Sequence, residues 1–317
     1  MMRLVVSGAT GFLGGHLARR LVAERHEVIG LGRDAAAGAR LADDGVRFRS
    51  IDLATADALA EAGADGFVHA AALSSNWGRR QAFVAANVTG TANALTLARR
   101  LGVRRFVHIS SPSVGFRFAD QFGVSEDAPL PRPVNAYAAS KGRAEQLVLA
   151  AGDLSPVVLR PRGLFGPGDT TLLPRLVRAA RQGPLPLLRG GEAVTDLTHV
   201  EDAVEAIIAA LRAGPQAAGR IYNVSGGEAL PVRRIAELAA LRAGVPVAWR
   251  AVPVAVALLA ARVLETRALL TPGRPEPVVT AYSVGVMAYS QTLDISRAAR
   301  ELGWRPRIGI EAGIAAP

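Results

Sequence analysis

Gly8-Ala9-Thr10-Gly11-Phe12-Leu13-Gly14 stands between the apolar run Arg3-Leu4-Val5-Val6-Ser7 and a stretch of helical periodicity that ends near Glu24. That order reads as strand, tight glycine turn, helix. Gly8 permits the turn, Gly11 lets the backbone approach a pyrophosphate closely, and Gly14 lets the helix pack tightly on the strand. Phosphates placed there meet free N–H groups at the positive end of a helix, so the natural guest is a dinucleotide. The whole turn, Gly8, Thr10, Gly11, Phe12, Leu13 and Gly14, is the expected cofactor cradle. Its spacing is G-x-x-G-x-x-G and not G-x-G-x-x-G, and a glycine turn before a helix also serves plain packing, so the rest of the chain has to decide.

Working outward, His26 to Leu31 reads as a second strand and ends in Gly32-Arg33-Asp34. An acid about 20 residues past the turn would bond the ribose hydroxyl of NAD, whereas an arginine there suits the 2'-phosphate of NADP. Gly32 occupies that position, Arg33 follows and Arg40 lies nearby, which favours NADP; Asp34, one residue further on, keeps NAD as the alternative. Val46 to Ile51 is a third strand with Asp52-Leu53 at its exit. Gly66 to Ala72 is a fourth, ending in the small residues Ala70, Ala71 and Ala72. A helical segment from Gln81 to Leu101 contains Asn87 and leads to a fifth strand, Arg105 to Ser110. Pro156 to Pro161 is a sixth, and Arg220 to Val224 looks like one more. Strands separated by helix-length segments predict an α/β fold, a doubly wound parallel sheet with its site at the carboxyl ends of the strands. Ser110, Ser111 and Ser113 lie at such an end. Residues 1–165, with 195–225 returning to them, are the expected dinucleotide-binding domain. Residues 166–194 and 226–317 form a smaller, mostly helical substrate-binding cap, and Phe116 to Val134 reads as a loop.

Composition narrows the function. The chain has 317 residues, half of them hydrophobic, so it can bury a large core. It has no cysteine, which removes thiolate chemistry. The start carries no export signal, and Val252 to Ala261, the longest apolar stretch, falls short of the about 20 residues a membrane span needs. A cytoplasmic protein is the expectation, with a peripheral membrane contact left open. The formal charge of +10 would suit nucleic acid, but the arginines are scattered singly and in pairs, without basic blocks or interleaved aromatics, so no nucleic-acid partner is expected. No histidine pair has metal-ligand spacing, so no metal is expected. The basic residues number 37, and only Lys141 is a lysine. In a chain biased to arginine everywhere else, that position needs lysine.

Lys141 closes the segment Asn135-Ala136-Tyr137-Ala138-Ala139-Ser140-Lys141. Asn135 is a good helix N-cap, and Tyr137 and Lys141, four apart, share one helix face. The bland alternative is a surface lysine paired with Glu145, although lysine before glutamate is the poorer order for such a pair.

Taken in order, a G-x-x-G-x-x-G turn after strand one, a Ser-Ser pair after strand five and Tyr-x-x-x-Lys on the next helix resemble the extended short-chain dehydrogenases/reductases, the NAD-dependent epimerase/dehydratase family. The resemblance extends through Arg160-Pro161, Gly166-Pro167-Gly168-Asp169, His199-Val200 with Asp202, and Asp294 to Trp304-Arg305-Pro306. It implies an enzyme in which Tyr137 is the general acid or base for a carbonyl oxygen. A tyrosine at its free pKa of about 10 is a poor base, and Lys141 would help to lower it while holding the cofactor ribose. Ser111 would orient the substrate carbonyl, with Ser113 as the fallback. On the cofactor side the resemblance assigns Asp52 and Leu53 to the adenine, Ala70 to Ala72 to the diphosphate and ribose, and Asn87 and Ser110 to the pocket wall. It assigns Pro161 to the nicotinamide, and it implies a homodimer through the fourth and fifth helices.

Three departures choose a branch. The acid pair that sugar dehydratases carry after the catalytic serine is replaced by Pro112-Ser113-Val114. The asparagine that sugar-nucleotide enzymes place after strand six is missing from Arg160-Pro161-Arg162-Gly163, where Arg162 is either scaffold or an anion contact. Val252 to Ala261 is apolar nearly all round, which reads as a buried core helix or as a lid over a greasy substrate. These features most resemble the 3-beta-hydroxysteroid dehydrogenases and 2-alkyl-3-oxoalkanoate reductases, and imply reversible reduction of a 3-keto group on a bulky apolar molecule with NADP or NAD. A nucleotide-sugar 4-epimerase with tightly held NAD is the alternative, and a non-catalytic cofactor-binding regulator the third reading.

Overall fold

β1 (Arg3–Ser7), β2 (Glu27–Gly32), β3 (Arg47–Ser50), β4 (Gly66–His69) and β5 (Arg105–Ile109) join strands Val157–Pro161 and Arg220–Val224 in one seven-stranded parallel sheet. Across the sheet the order is 220–224, 157–161, β5, β4, β1, β2, β3. This computed structural model describes residues 1–56, 59–61 and 63–315. The strand sequences are continuous apolar runs because both sheet faces are covered. On one face Leu13, Leu17 and Leu21 of helix Phe12–Ala23 pack with Val204, Ile207 and Ile208 of helix Val200–Arg212. On the other, Leu95 and Leu97 of helix Gly90–Arg100 pack with Val148 of helix Ala136–Leu149. The chain reverses its march between β1 and β4, and the crevice at the carboxyl ends of those two strands is where such sheets bind ligands.

Two segments differ from their sequence reading. The predicted loop Phe116 to Val134 contains strand Gln121–Val124, which runs beside Gln291–Leu293 in a second, four-stranded sheet completed by Val194–Asp196 and Ala229–Pro231. Strands this short carry too little alternation to register against their glycine- and proline-rich surroundings. Val252 to Ala261 is also not core: it opens helix Val254–Leu270, of which only Ala261 and Ala268 are buried. The rest of the C-terminal region is mostly helical, with helices Val232–Arg242, Ala281–Ala288, Ser296–Glu301 and Ile310–Ala315 beside the short strands Ala229–Pro231, Trp249–Ala251 and Gln291–Leu293. Asp202 ties its end to the sheet domain, accepting from Arg307 N and Ile308 N at 3.0 Å each, while Trp304 Nε1 donates to the Asp202 carbonyl.

Candidate active site

The glycine turn leaves β1 with Gly8 at φ +72°, a conformation costly for any other residue. A Cβ on Gly8 would stand 2.7 Å from Ala71 N, so the two strand exits at the reversal point touch through backbone. A Cβ on Gly14 would meet the Gly8 carbonyl oxygen at 2.1 Å, which fixes the helix against the turn. Gly11 is exposed, and no side chain caps helix Phe12–Ala23. Its first turn therefore has no side-chain cap, and the backbone of Ala70 and Ala71 stands against the turn at Gly8. An uncapped helix start behind a glycine cradle fits a pyrophosphate, so the residues present suit a dinucleotide.

At the end of β2, a Cβ on Gly32 would lie 2.7 Å from Thr10 Oγ1. Thr10 thus fills the space an acid at 32 would need. The neighbouring acid, Asp34, caps helix Ala35–Asp43 by accepting from Ala37 N at 2.9 Å. Arg33 reaches outward, 71% exposed, with Nη1 3.9 Å from Asp52 Oδ2 at the exit of β3. Leu53 is buried beside Asp52, whose carboxylate accepts from Ala54 N.

Beyond β5 and β4 the polar groups form a closed network. Asn135 accepts from Ala138 N at 2.8 Å and starts helix Ala136–Leu149, which carries Tyr137, Ser140, Lys141 and Glu145. Ser111 and Ser74 both offer hydroxyls to the Tyr137 phenol; burial pushes that phenol up from its ordinary value and the two hydroxyls draw it back. Ser111, not Ser113, faces the tyrosine, while the Ser113 hydroxyl is buried without a partner. Lys141 is no surface lysine. It is 2% exposed and donates from Nζ to the Ile109 carbonyl at 2.6 Å. Burial pushes its ammonium down to about 8, with Glu145 opposing the shift. Glu145 takes both arms of Arg160, at 2.9 and 2.7 Å, and also accepts from Ser110 Oγ. The Ser110 hydroxyl is therefore committed to the scaffold.

Asn87 lies in a π-helical turn, Val84–Thr89, that swings its amide out of the helix register. Its Oδ1 accepts from Leu73 N at 2.7 Å, and its Nδ2 donates to Leu73 O and Ser140 Oγ. Ser140 in turn donates to the Tyr137 carbonyl. One asparagine thereby locks the segment after β4, with Ala70 to Ala72 and Ser74, to the catalytic helix. Pro161 ends its strand in pairing with Val224. Arg162 donates to Thr195 Oγ1 and Gln291 Oε1 and is buried, so it is scaffold. The cap closes the far side of the cleft: Tyr282 lies edge-on to Phe116 at 5.3 Å and close enough to Tyr137 for the two phenols to interact. Ser74, Ser140, Tyr282 and the Glu145–Arg160 pair escaped the sequence reading. Ser140, inside the Tyr-to-Lys interval, and Glu145, one turn past Lys141, were the ones with a visible signal.

The family model described as "NAD dependent epimerase/dehydratase family" matches residues 4–225. A 2-alkyl-3-oxoalkanoate reductase of Stenotrophomonas maltophilia is 35% identical, covering 99% of this chain and 97% of its own. A 3beta-hydroxysteroid-dehydrogenase/decarboxylase of Arabidopsis thaliana is 30% identical over 98% of this chain and 77% of its own. The crystal structure of a dTDP-glucose 4,6-dehydratase from Streptomyces venezuelae, solved with NAD, superposes with a TM-score of 0.76 at 29% identity, covering 99% of this chain and 95% of that one. The chain belongs to the NAD-dependent epimerase/dehydratase family and is an enzyme of the extended short-chain dehydrogenase/reductase type.

Proposed function

We propose that this enzyme interconverts a 3-keto and a 3-hydroxy group on a bulky apolar substrate, with NADP(H) as the preferred cofactor. The observation that carries the reading is the Tyr137 phenol, flanked by the Ser111 and Ser74 hydroxyls, one helical turn from buried Lys141, with aromatic side chains of Phe116 and Tyr282 opposite. A bound nicotinamide would supply the hydride to the carbonyl carbon, or accept it in the reverse direction. Ser111 hydrogen-bonds the carbonyl oxygen and fixes its position, and the Tyr137 O–H delivers the proton to that oxygen. Burial raises the phenol's pKa in the free protein, which keeps it protonated and suits it to donate in the reductive direction. Lys141, one helical turn along on the same face, would supply positive charge that lowers the cost of the phenolate left behind. Gly8, Gly11 and Gly14 would hold the pyrophosphate, and Arg33 the 2'-phosphate, drawing away from Asp52 as it does.

Pro112-Ser113-Val114 provides no acid for dehydration, and buried Arg162 is unavailable to a sugar diphosphate, which supports the ketone branch over the nucleotide-sugar branch. The names of the two curated relatives point the same way. The test is nicotinamide absorbance with NADPH and then NADH against 3-oxosteroids, 2-alkyl-3-oxoacids and UDP-sugars. Oxidation of NADPH by an apolar ketone is expected. Arg33→Ser should lower kcat/KM for NADPH about tenfold, leaving NADH nearly unchanged. UDP-sugar conversion with copurified NAD, and silence on every ketone, would replace this reading with a 4-epimerase.

A further inference from the structure

Helix Val254–Leu270 presents a surface that the reaction does not explain. One side, through Ala257, Leu258 and Ala261, packs on Val284 and Ala288 of helix Ala281–Ala288. The opposite side is open. Val256, Leu259, Val263 and Leu270 are 56, 65, 52 and 81% exposed, and at 3.6 residues per turn they fall in a single stripe. Val278 and Val279, in the loop after the helix, are also exposed. A stripe this long on an isolated globular chain marks a contact surface.

The charges around the stripe identify the contact. Arg262 and Arg267 border it on the helix, and Arg250 and Arg274 stand at its two ends, all four exposed. The helix has one acid, Glu265, and it turns inward to accept from Ala281 N at 2.8 Å. Glu276, in the following loop, pairs with Arg175 at 3.3 Å. The exposed face is therefore leucine, valine, alanine and arginine, with Thr266 as its one neutral polar side chain. A second copy of this helix would bring arginine against arginine with no acid between them, whereas anionic headgroups match the arginines while the acyl region takes the leucines. No helix among the described residues is long and apolar enough to cross a membrane, so the helix would lie in the plane of the interface.

We propose that helix Val254–Leu270 is an interfacial anchor that docks this enzyme on an anionic lipid bilayer. The experiment is flotation of the full-length protein with phosphatidylcholine vesicles, and with phosphatidylcholine–phosphatidylglycerol vesicles, at low and high salt. The protein should float with the anionic vesicles, less so at high salt, and little with phosphatidylcholine alone. Leu259→Asp with Val263→Asp should reduce the bound fraction about tenfold or more, and Arg262→Glu with Arg267→Glu should abolish the preference for anionic lipid. All four positions are exposed and outside the catalytic machinery, so melting temperature and turnover of a soluble ketone verify that each variant is folded. Absence of flotation, or flotation unaffected by either double variant, overturns the proposal. A dimer that the leucine and valine changes dissociate, without lipid binding, would assign the stripe to a second copy. The lipid assay does not depend on the substrate, so it can fail while the reductase reading stands, and the reverse.

Discussion

Helix Ala136–Leu149 and helix Val254–Leu270 break the usual burial rule in opposite directions. The first buries polar and charged groups: Ser140, Lys141 and Glu145 all lie inside, and each has a partner. The second exposes valines and leucines that ordinary folding would cover. Folding alone favours neither arrangement, because a buried ammonium costs free energy and an exposed leucine forgoes it. The contrast teaches that both faces run against stability, one answered by partners inside the chain and the other left open at the surface, and on the readings proposed above each is kept for a task other than folding.

Substitutions in the two helices sharpen that contrast, beginning with the largest effect. Tyr137→Phe should cut kcat about a thousandfold, within the range for loss of a general acid, with the cofactor still bound in an equilibrium titration. Glu145→Gln should destabilise the fold by about 3 kcal/mol in denaturant melts, because it leaves the Arg160 guanidinium buried opposite a neutral amide. Lys141→Met tests whether the lysine is kept against stability. An unfolded lysine holds its proton to about 10.4, whereas folded Lys141 releases it near 8, so the folded state binds fewer protons in between. Stability from this group thus rises with pH from 8 upward, and its cost is in full force at neutral pH. The variant should be inactive, yet melt no lower than the parent at pH 7, and lose the parent's gain in stability above pH 8. A lower melting temperature at neutral pH would refute the idea.

Smaller effects follow. His69 and His108 stack at 5.4 Å inside the sheet; burial pushes His69 down to about 3 and His108 well below its ordinary value. Both stay neutral in the fold, while the unfolded chain takes up protons near pH 6.5, so stability is lost as pH falls below that point. His108→Phe should remove about 1–2 kcal/mol of that acid sensitivity, read from melts between pH 7 and 5. At the far end, Leu259→Asp should change stability by no more than about 0.5 kcal/mol, as expected where nothing packs. A large loss there would mean that the stripe is covered within the chain.

The sheet was legible because its signals are local: apolar runs of strand length, a glycine turn, and an asparagine cap three residues before the amide it holds. The family resemblance led to Tyr137, Lys141 and Ser111, and in the structure the hydroxyl of Ser111 faces Tyr137. What escaped depends on distance along the chain. Glu145 was visible as an acid one turn from Lys141, but its partner Arg160 belongs to another strand. Ser74 and Tyr282 converge on one phenol from positions 63 and 145 residues to either side of it, and nothing in their own neighbourhoods announces that. The fate of Val252 to Ala261 escaped for a different reason. An apolar run has the same sequence whether protein covers it or not.

The close fit of Thr10 over Gly32 constrains which substitutions the cradle accepts. An acid at position 32, the simplest way to favour NAD, would enter space that the threonine hydroxyl already holds, 2.7 Å from the new Cβ. Gly32→Asp alone should therefore damage the cradle, whereas the same change after Thr10→Gly should be tolerated. Placing an acid at position 32 is then a two-step path with one passable order, set by the resident threonine.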